Sequence, residues 1–258
     1  MAGLVFITGA SSGIGQALAL QYHRAGWRLA LQARRVEAVQ QWAASQGLDP
    51  ASWAVYAADV ADEEAMARIG RECIAAQGLP DTVIACAGVS IGVDTALPED
   101  LPVFKQVLDT NLWGTVTTFH PFIAPMQARG SGRLVGVASV AAIRGLAGHG
   151  AYCASKVGVV HYCEALRLEC RPRGVQVVTI VPGYVRTPLT AMNDYAMPFM
   201  LEAEEFASRA LAAIEAGTSY RVIPWQMGVV AKLMRLLPNA LYDKLFSGRG
   251  KKKRASER

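Results

Sequence analysis

At 258 residues, 52% hydrophobic and 18% charged, the chain has the composition of a compact globule that can bury a sizeable core, rather than of a disordered chain. The net charge of +5 belongs to one end: residues 247–258 hold six Lys/Arg and one Glu, and the rest carry 20 basic and 20 acidic side chains. A neutral body without a recognition motif argues against nucleic acid as a partner, and no apolar run reaches the ~18 residues of a membrane span.

The first residues are already strand-like, which argues against a leader peptide. Residues 5–8 form a short apolar run of the buried-strand kind and lead into Thr8-Gly9-Ala10-Ser11-Ser12-Gly13-Ile14-Gly15, followed by a helical pattern over 16–25. Strand, glycine turn and helix are the context of a dinucleotide fingerprint. Gly9 permits the tight turn, Gly13 lets backbone approach a pyrophosphate, and Gly15 allows the helix to pack on the strand. The helix N-terminus then offers free N–H groups and a positive dipole to phosphates, which makes Gly9, Ser11, Ser12, Gly13, Ile14 and Gly15 candidate cofactor contacts.

The next strand, 28–32, ends in Ala33-Arg34-Arg35. An NAD-binding unit places a carboxylate near this position for the ribose 2′-hydroxyl; guanidinium groups at Arg34 and Arg35 suit a 2′-phosphate instead, so NADP(H) is expected over NAD(H). The plainer alternative is two solvated charges opening a helix.

Further units follow: a strand at 52–57 before Asp59-Val60 and a helix over 63–76; a strand at 82–86 ending at Ala87-Gly88; a long helix at 102–119 containing Asn111; a strand at 133–139; a helix at 152–171; and a strand at 175–181 ending at Pro182-Gly183. This alternation predicts an α/β fold: a Rossmann-type, doubly wound parallel sheet of about seven strands with helices on both faces, in a single domain. The domain is expected to span 1–246, with 190–246 a variable substrate lid and helical region, and 247–258 a basic, disordered tail. Ligands of such sheets lie beyond the carboxyl ends of the strands, where Gly9, Arg34, Asp59, Gly88, Ser139 and Gly183 converge.

Tyr152 and Lys156, at i and i+4, stand on one helix face, so the ammonium can sit beside the phenol and favour phenolate. A phenol ordinarily titrates near ~10 and needs such help to exchange protons near neutrality. Ser139, at the end of its strand, can turn its hydroxyl to the same cleft and polarise a carbonyl oxygen. Cys73, Cys86, Cys153, Cys163 and Cys170 show no metal-ligand spacing and read as reduced thiols in a cytoplasmic protein, with no metal expected.

These residues, over roughly 4–190, resemble the short-chain dehydrogenase/reductase family. The turn at 8–15 matches its TGxxxGxG motif, Asp59-Val60 the adenine contact, Asn111, Ser139, Tyr152 and Lys156 its catalytic tetrad, and Pro182-Gly183-Tyr184-Val185-Arg186-Thr187 its PGxxxT segment beside the nicotinamide. The resemblance implies cofactor contacts at Ala87, Gly88, Pro182, Gly183, Val185 and Thr187 besides the tetrad. It also implies that Tyr152 is the acid/base, Ser139 holds the substrate oxygen, Lys156 lowers the phenol pKa and binds the nicotinamide ribose, and Asn111 holds a relay water at a helix interruption. A homodimer or homotetramer through the Asn111 and Tyr152 helices follows by the same analogy. One departure is visible: the family's Asn-Asn-Ala-Gly is here Ala85-Cys86-Ala87-Gly88, so a bracing amide is missing. Cys86 there reads as a small hydrophobe rather than a redox sensor.

Beyond Thr187, residues 189–201 hold Met192, Tyr195, Met197, Phe199 and Met200, which suits either an apolar lid or plain core packing. Val140, Ile143, Leu146, His149 and Tyr184 are candidate wall residues. The helical pattern at 225–237, a second short helix, and Lys251-Lys252-Lys253-Arg254 suggest a surface for peripheral contact with an anionic membrane over 225–254, against which stands an oligomer or lid surface with a free tail. The expected activity is hydride transfer between NADP(H) and an apolar ketone or secondary alcohol, with Tyr152 as acid/base; the alternative is a non-catalytic NADP(H)-binding regulatory or scaffold protein.

Overall fold

The computed structural model describes residues 3–193, 195–246 and 252–257. Seven strands form the central sheet: β1 (Leu4–Thr8), β2 (Arg28–Ala33), β3 (Trp53–Ala57), β4 (Thr82–Ala85), β5 (Gly132–Val137), β6 (Val175–Pro182) and β9 (Tyr220–Ile223). Their order is β3-β2-β1-β4-β5-β6-β9 and every neighbouring pair is parallel. The chain winds outward from β1 to β3, returns to the middle at β4, and winds the other way to β9. Adjacent strands β1 and β4 therefore send their following turns to opposite faces and leave a crevice between them, the topological switch point of such sheets. The expected doubly wound fold is the one observed.

Both faces of the sheet are apolar because both are covered. Helices α1 (Gly13–Arg24), α2 (Val36–Ser45) and α8 (Ala203–Glu215) bury Leu18, Tyr22, Val39 and Phe206 against Val5, Ile7 and Leu31. Helices α3 (Glu63–Gln77), α5 (Gly114–Arg129) and α6 (Gly150–Cys170) bury Met66, Ile69, Phe119, Phe122 and Val159 on the other side. Each such side chain contributes about 1.5–3 kcal/mol by leaving water.

The helix expected over 102–119 is longer and divided: α4 (Leu101–Leu108), a π-turn at Asp109–Trp113 carrying Asn111, then α5 to Arg129 despite Pro121 and Pro125. Packing holds it: a Cβ on Gly70 of α3 would stand 2.5 Å from the Pro121 side chain, so the proline sits where only glycine can face it. Short strands β7 (Val185–Arg186) and β8 (Leu201–Glu202) pair with each other, with α7 (Pro188–Ala191) between them, and α8 follows. The sequence reading identified none of these four. Helices α9 (Trp225–Leu236) and α10 (Asn239–Phe246) end the body of the chain.

Residues 252–257, read from sequence as part of a free tail, lie against the body, whereas 247–251 and 258 fall outside the described residues. The Gly92 N–H donates to the Lys253 carbonyl at 2.9 Å, Lys252 is buried and its ammonium donates to Asn193 Oδ1, and Arg254 binds the Asp100 carboxylate. The reason is electrostatic: Asp100 is itself buried, and the Arg254 guanidinium supplies its counter-charge.

Candidate active site

A cleft of about 270 Å³ opens at the carboxyl ends of β1, β2, β4, β5 and β6. On its first wall the turn after β1 exposes Gly9, Ser11, Ser12, Gly13, Ile14 and Gly15. Gly9 and Gly13 have φ of 70° and 57°, a left-handed conformation that glycine adopts without strain. A Cβ on Gly15 would lie 2.3 Å from the Gly9 carbonyl oxygen, so α1 can pack this close to β1 only with glycine there. Ser12, the N-cap of α1, makes no side-chain cap and the first turn has no acid, so its N–H groups and dipole are not answered by the chain's own oxygens.

The base of this wall is held by two buried polar residues not singled out from the sequence. Gln32 accepts from the Gly9 N–H at 3.3 Å and donates to the Ala58 carbonyl at 2.6 Å, linking the ends of β1 and β3. The Thr8 hydroxyl accepts from the Cys86 and Ala87 N–H groups at 3.1 and 3.3 Å and donates to the Ile84 carbonyl at 3.4 Å, bracing the turn after β4 where the expected amide is missing. Polar residues at the ends of apolar strands were the available signal. Cys86 lines the cleft, and burial pushes its thiol up to about 12, which keeps it neutral and suits the small-hydrophobe reading.

Arg34 and Arg35 stand at the mouth beside Asp59 and Val60. Arg34 Nη1 lies 3.4 Å from Asp59 Oδ2, and both side chains are well exposed. The pair is a weak one in water, and either partner can leave it at small cost. Ala87 and Gly88 form the floor, while Pro182, Gly183, Val185 and Thr187 come from the opposite side. Across the gap, a Cβ on Gly13 would be 3.2 Å from the Thr187 side chain.

Ser139, Tyr152 and Lys156 share the second wall. β5 ends at Val137, two residues earlier than expected, and Ser139 then caps a 3₁₀ turn at Val140–Ala142, with its hydroxyl oxygen accepting from the Ala141 N–H at 3.2 Å. Lys156 is buried and donates from Nζ to the Val137 carbonyl at 2.8 Å. Its ammonium stands 5.9 Å from the Tyr152 ring centre. Burial brings Lys156 down from 10.5 to about 8, opposed by the nearby Cys86 and Cys163 thiols. Burial also raises the Tyr152 phenol, which the neighbouring Ser139 hydroxyl draws the other way. This differs from the expected lowering of the phenol by Lys156: the ammonium donates to the Val137 carbonyl rather than to the phenol, and burial is the largest influence on Tyr152.

Asn111 differs from the other predicted site residues in not lining the cleft. It is fully buried, accepting from the Val89 N–H at 2.8 Å and donating to the Val89 carbonyl and the Ser155 hydroxyl at 2.9 Å each. A Cβ on Gly88 would lie 3.3 Å from Asn111 Oδ1 and 3.5 Å from Lys156 Nζ, so the amide and the ammonium flank the same glycine. The π-turn is the helix interruption that sets the amide there.

On the substrate side, His149 is buried, with Nδ1 3.0 Å from the Ala147 carbonyl and Nε2 3.3 Å from the Tyr195 hydroxyl. Burial holds its pKa below the usual value, so both nitrogens serve a fixed neutral ring. Of the proposed lid, Met192 and Phe199 are exposed while Tyr195 stacks edge-on against His149 and Tyr184.

A family model described as short chain dehydrogenase matches residues 3–197. An uncharacterized oxidoreductase of Myxococcus xanthus is 38% identical over 242 residues, covering 92% of this chain and 93% of that protein. An acetoacetyl-CoA reductase of Acinetobacter is 31% identical over 194 residues, 74% of this chain and 78% of that one. A short-chain dehydrogenase crystal structure from Streptomyces avermitilis, 22% identical, has the same fold with a TM-score of 0.80 over 97% of this chain and all of that one.

Proposed function

Because the chain belongs to the short-chain dehydrogenase family, we propose that it is an NADP(H)-dependent oxidoreductase acting on an apolar ketone or the corresponding secondary alcohol. The observation that carries this reading is the position of Ser139, Tyr152 and Lys156 on one wall of a cleft whose other wall is the glycine turn. The residues present fit a dinucleotide: side-chain-free backbone at Gly9, Gly13 and Gly15, an uncapped helix N-terminus for a pyrophosphate, and two guanidinium groups at the mouth for a 2′-phosphate. The likeness to an acetoacetyl-CoA reductase supports a carbonyl substrate.

Bound in that cleft, the nicotinamide supplies or accepts the hydride. The chain's own residues hold and move the proton. In reduction the Tyr152 O–H bond breaks as its proton passes to the substrate oxygen, while the Ser139 hydroxyl donates a hydrogen bond to that oxygen and fixes its position. Lys156, protonated at neutral pH, offsets the charge of the phenolate left behind; the proton that restores Tyr152 comes from solvent, by way of Lys156 and the relay water expected at Asn111. Asn111 braces the backbone beside Gly88 through Val89 and holds the Ser155 hydroxyl next to Lys156. In oxidation the same proton runs backwards. Exposed Leu101, Trp113, Val157 and Leu168 on the α4–α6 side support a homodimer or homotetramer built on that face.

A fluorescence titration with NADPH and NADH, followed by turnover on a panel of apolar ketones, tests the reading. Tighter NADPH binding with turnover is the expected result; no binding of either nucleotide refutes it.

A further inference from the structure

The two terminal helices present an apolar surface that the domain does not use. On α9, Trp225, Val229, Leu233 and Leu236 are exposed, Leu236 by 79% and Leu233 by 60%. At 100° per residue they fall within one narrow stripe of the helix, opposite the buried Met227 and Ala231. On α10, Leu241 and Leu245 are exposed one turn apart while Tyr242 turns inward. Six large apolar side chains on two consecutive helices are more than the scattered exposure of an ordinary surface.

The charges beside this stripe have one dominant sign. α9 contains no acidic residue, and its exposed Lys232 and Arg235 lie along one shoulder of the stripe; α10 adds Lys244 and a single acid, Asp243. The cations farther on do not contribute equally, because Lys252 is buried and Arg254 is held by Asp100 and Glu99. Among the described residues, Lys252 and Arg254 are therefore committed to the body, and the cations beside the apolar stripe are those of the helices.

The surface is rigidly tied to the substrate side of the cleft. Arg144 Nη1 donates to the carbonyls of Arg235 and Leu237 at 3.1 and 3.0 Å, Nη2 to Asn239 Oδ1 at 3.1 Å, and the guanidinium lies 4.0 Å above the Tyr242 ring. The Tyr242 hydroxyl donates to the Gly145 carbonyl at 2.6 Å. These contacts hold the α9–α10 junction on the loop that runs from Ser139 to the helix bearing Tyr152.

We infer that the α9–α10 face docks on an anionic lipid bilayer and sets the substrate mouth of the cleft beside it. No helix among the described residues is long and apolar enough to cross a membrane, so the helices lie along the interface. A stripe of Leu, Val and Trp with a cationic shoulder matches that interface in both respects: the apolar side chains enter the acyl boundary and Lys232 and Arg235 meet lipid phosphates. A second copy fits less well. A two-fold contact through this face would gather Lys232, Arg235 and Lys244 of both copies in one interface with only Asp243 of each to answer them.

The test uses the full-length protein and does not depend on the enzymatic reading. It is sedimented with vesicles of phosphatidylcholine alone and of phosphatidylcholine with phosphatidylserine, and size is measured without lipid. Co-sedimentation with the anionic vesicles only, weakened by salt, is expected. Lys232→Gln with Arg235→Gln should reduce partitioning about twenty-five-fold, at ~fivefold per cation near an anionic surface. Leu233→Asp with Leu236→Asp should abolish it; both changes are at exposed positions, and an unchanged circular dichroism spectrum and NADPH affinity verify the fold. Wild-type protein left in the supernatant overturns the inference. So does a dimer that Leu233→Asp with Leu236→Asp dissociates, which would assign the face to a second copy. Failure of NADPH binding in all forms would strike the enzymatic reading and leave vesicle binding to be judged on its own.

Discussion

Arg254 grips the Asp100 carboxylate with two nitrogens, Nε at 2.7 Å and Nη2 at 3.1 Å, although 154 positions separate the residues in sequence. Asp100 also accepts from the Asp94 N–H at 2.7 Å, so the acid ties the loop after β4 to itself as well as to residue 254. The Arg254 hydrogen bonds, more than any other effect, hold the Asp100 carboxyl below the usual carboxylate value. A lowered folded pKa means that the stabilisation is complete above the unfolded carboxylate range and is lost as pH falls through the folded value. The protection factor of the Gly92 amide, which is bonded to Lys253, should therefore fall in acid once its rate is referred to the intrinsic exchange rate at each pH, and Arg254→Ala should lower it likewise at neutral pH. An Arg254→Ala protein with unchanged Gly92 protection would show that the segment is held by other contacts.

Lys156 is held charged in a place that disfavours charge. Its folded pKa, about 8, lies below the ordinary 10.5, so the unfolded chain binds the proton more tightly. Stability should rise with pH between those values, and the cost is greatest below about 8, at about 3 kcal/mol for a displacement of that size. Lys156→Met keeps the stem and removes the charge. It should melt higher than the parent at pH 7, with the difference shrinking as pH approaches 10.5, while turnover is lost. A lower melting temperature at pH 7 would mean that the bond to the Val137 carbonyl outweighs the buried charge.

Tyr152→Phe removes the proton donor and leaves the ring. Turnover should fall by about 10²–10⁴-fold, the usual contribution of a positioned acid/base, with NADPH affinity unchanged. Retained activity would remove Tyr152 from its proposed role.

Arg34 is exposed and engaged with Asp59 at only 3.4 Å, so it is available to a stronger anion. Arg34→Ala should weaken NADPH by roughly 10- to 100-fold, the range expected from losing charge-assisted hydrogen bonds of about 1.5–3 kcal/mol, and leave NADH nearly unaffected. Comparable losses for both nucleotides would refute the 2′-phosphate assignment.

Two glycines separate close packing from conformational freedom. Gly15→Ala places a methyl 2.3 Å from the Gly9 carbonyl oxygen and should lower stability while abolishing nucleotide binding. Gly26 has φ of 81° with nothing near its missing side chain, so Gly26→Ala should cost only the strain of that backbone, about 1 kcal/mol, and leave binding intact. Thermal melts and the NADPH titration distinguish the two.

The alternation of apolar runs and helical patterns was enough to expect the parallel sheet, because buried strands and crossover helices leave a strong signal. The glycine turn, Arg34, Asp59, Ser139, Tyr152 and Lys156 were legible for the same reason: each stands just past a strand or on a helix in a fixed spacing. Long-range pairing left no such mark. Thr8 bracing Cys86, Gln32 joining two strand ends, and Arg254 reaching Asp100 each depend on residues brought together only by the fold. The phenol's raised pKa was equally hidden, since burial is a property of the packed molecule. Helix α5 runs past the expected end at 119 to Arg129, through Pro121 and Pro125, which its packing against Gly70 accommodates.

The β7–β8 pair, with Val185 beside Leu201, Arg186 beside Glu202 and an Arg186–Glu202 ion pair at 2.7 Å, pinches shut both ends of the segment between them. Once its ends are fixed, a loop pays little for its length: each doubling costs about 0.6 kcal/mol in closure entropy. Changes of length in this segment therefore cost little in closure, while Thr187 at the cleft, Asn193 on Lys252 and Tyr195 on His149 mark the positions whose contacts must be kept. The clasp lets that segment absorb a change of length between β7 and β8 without the sheet having to refold.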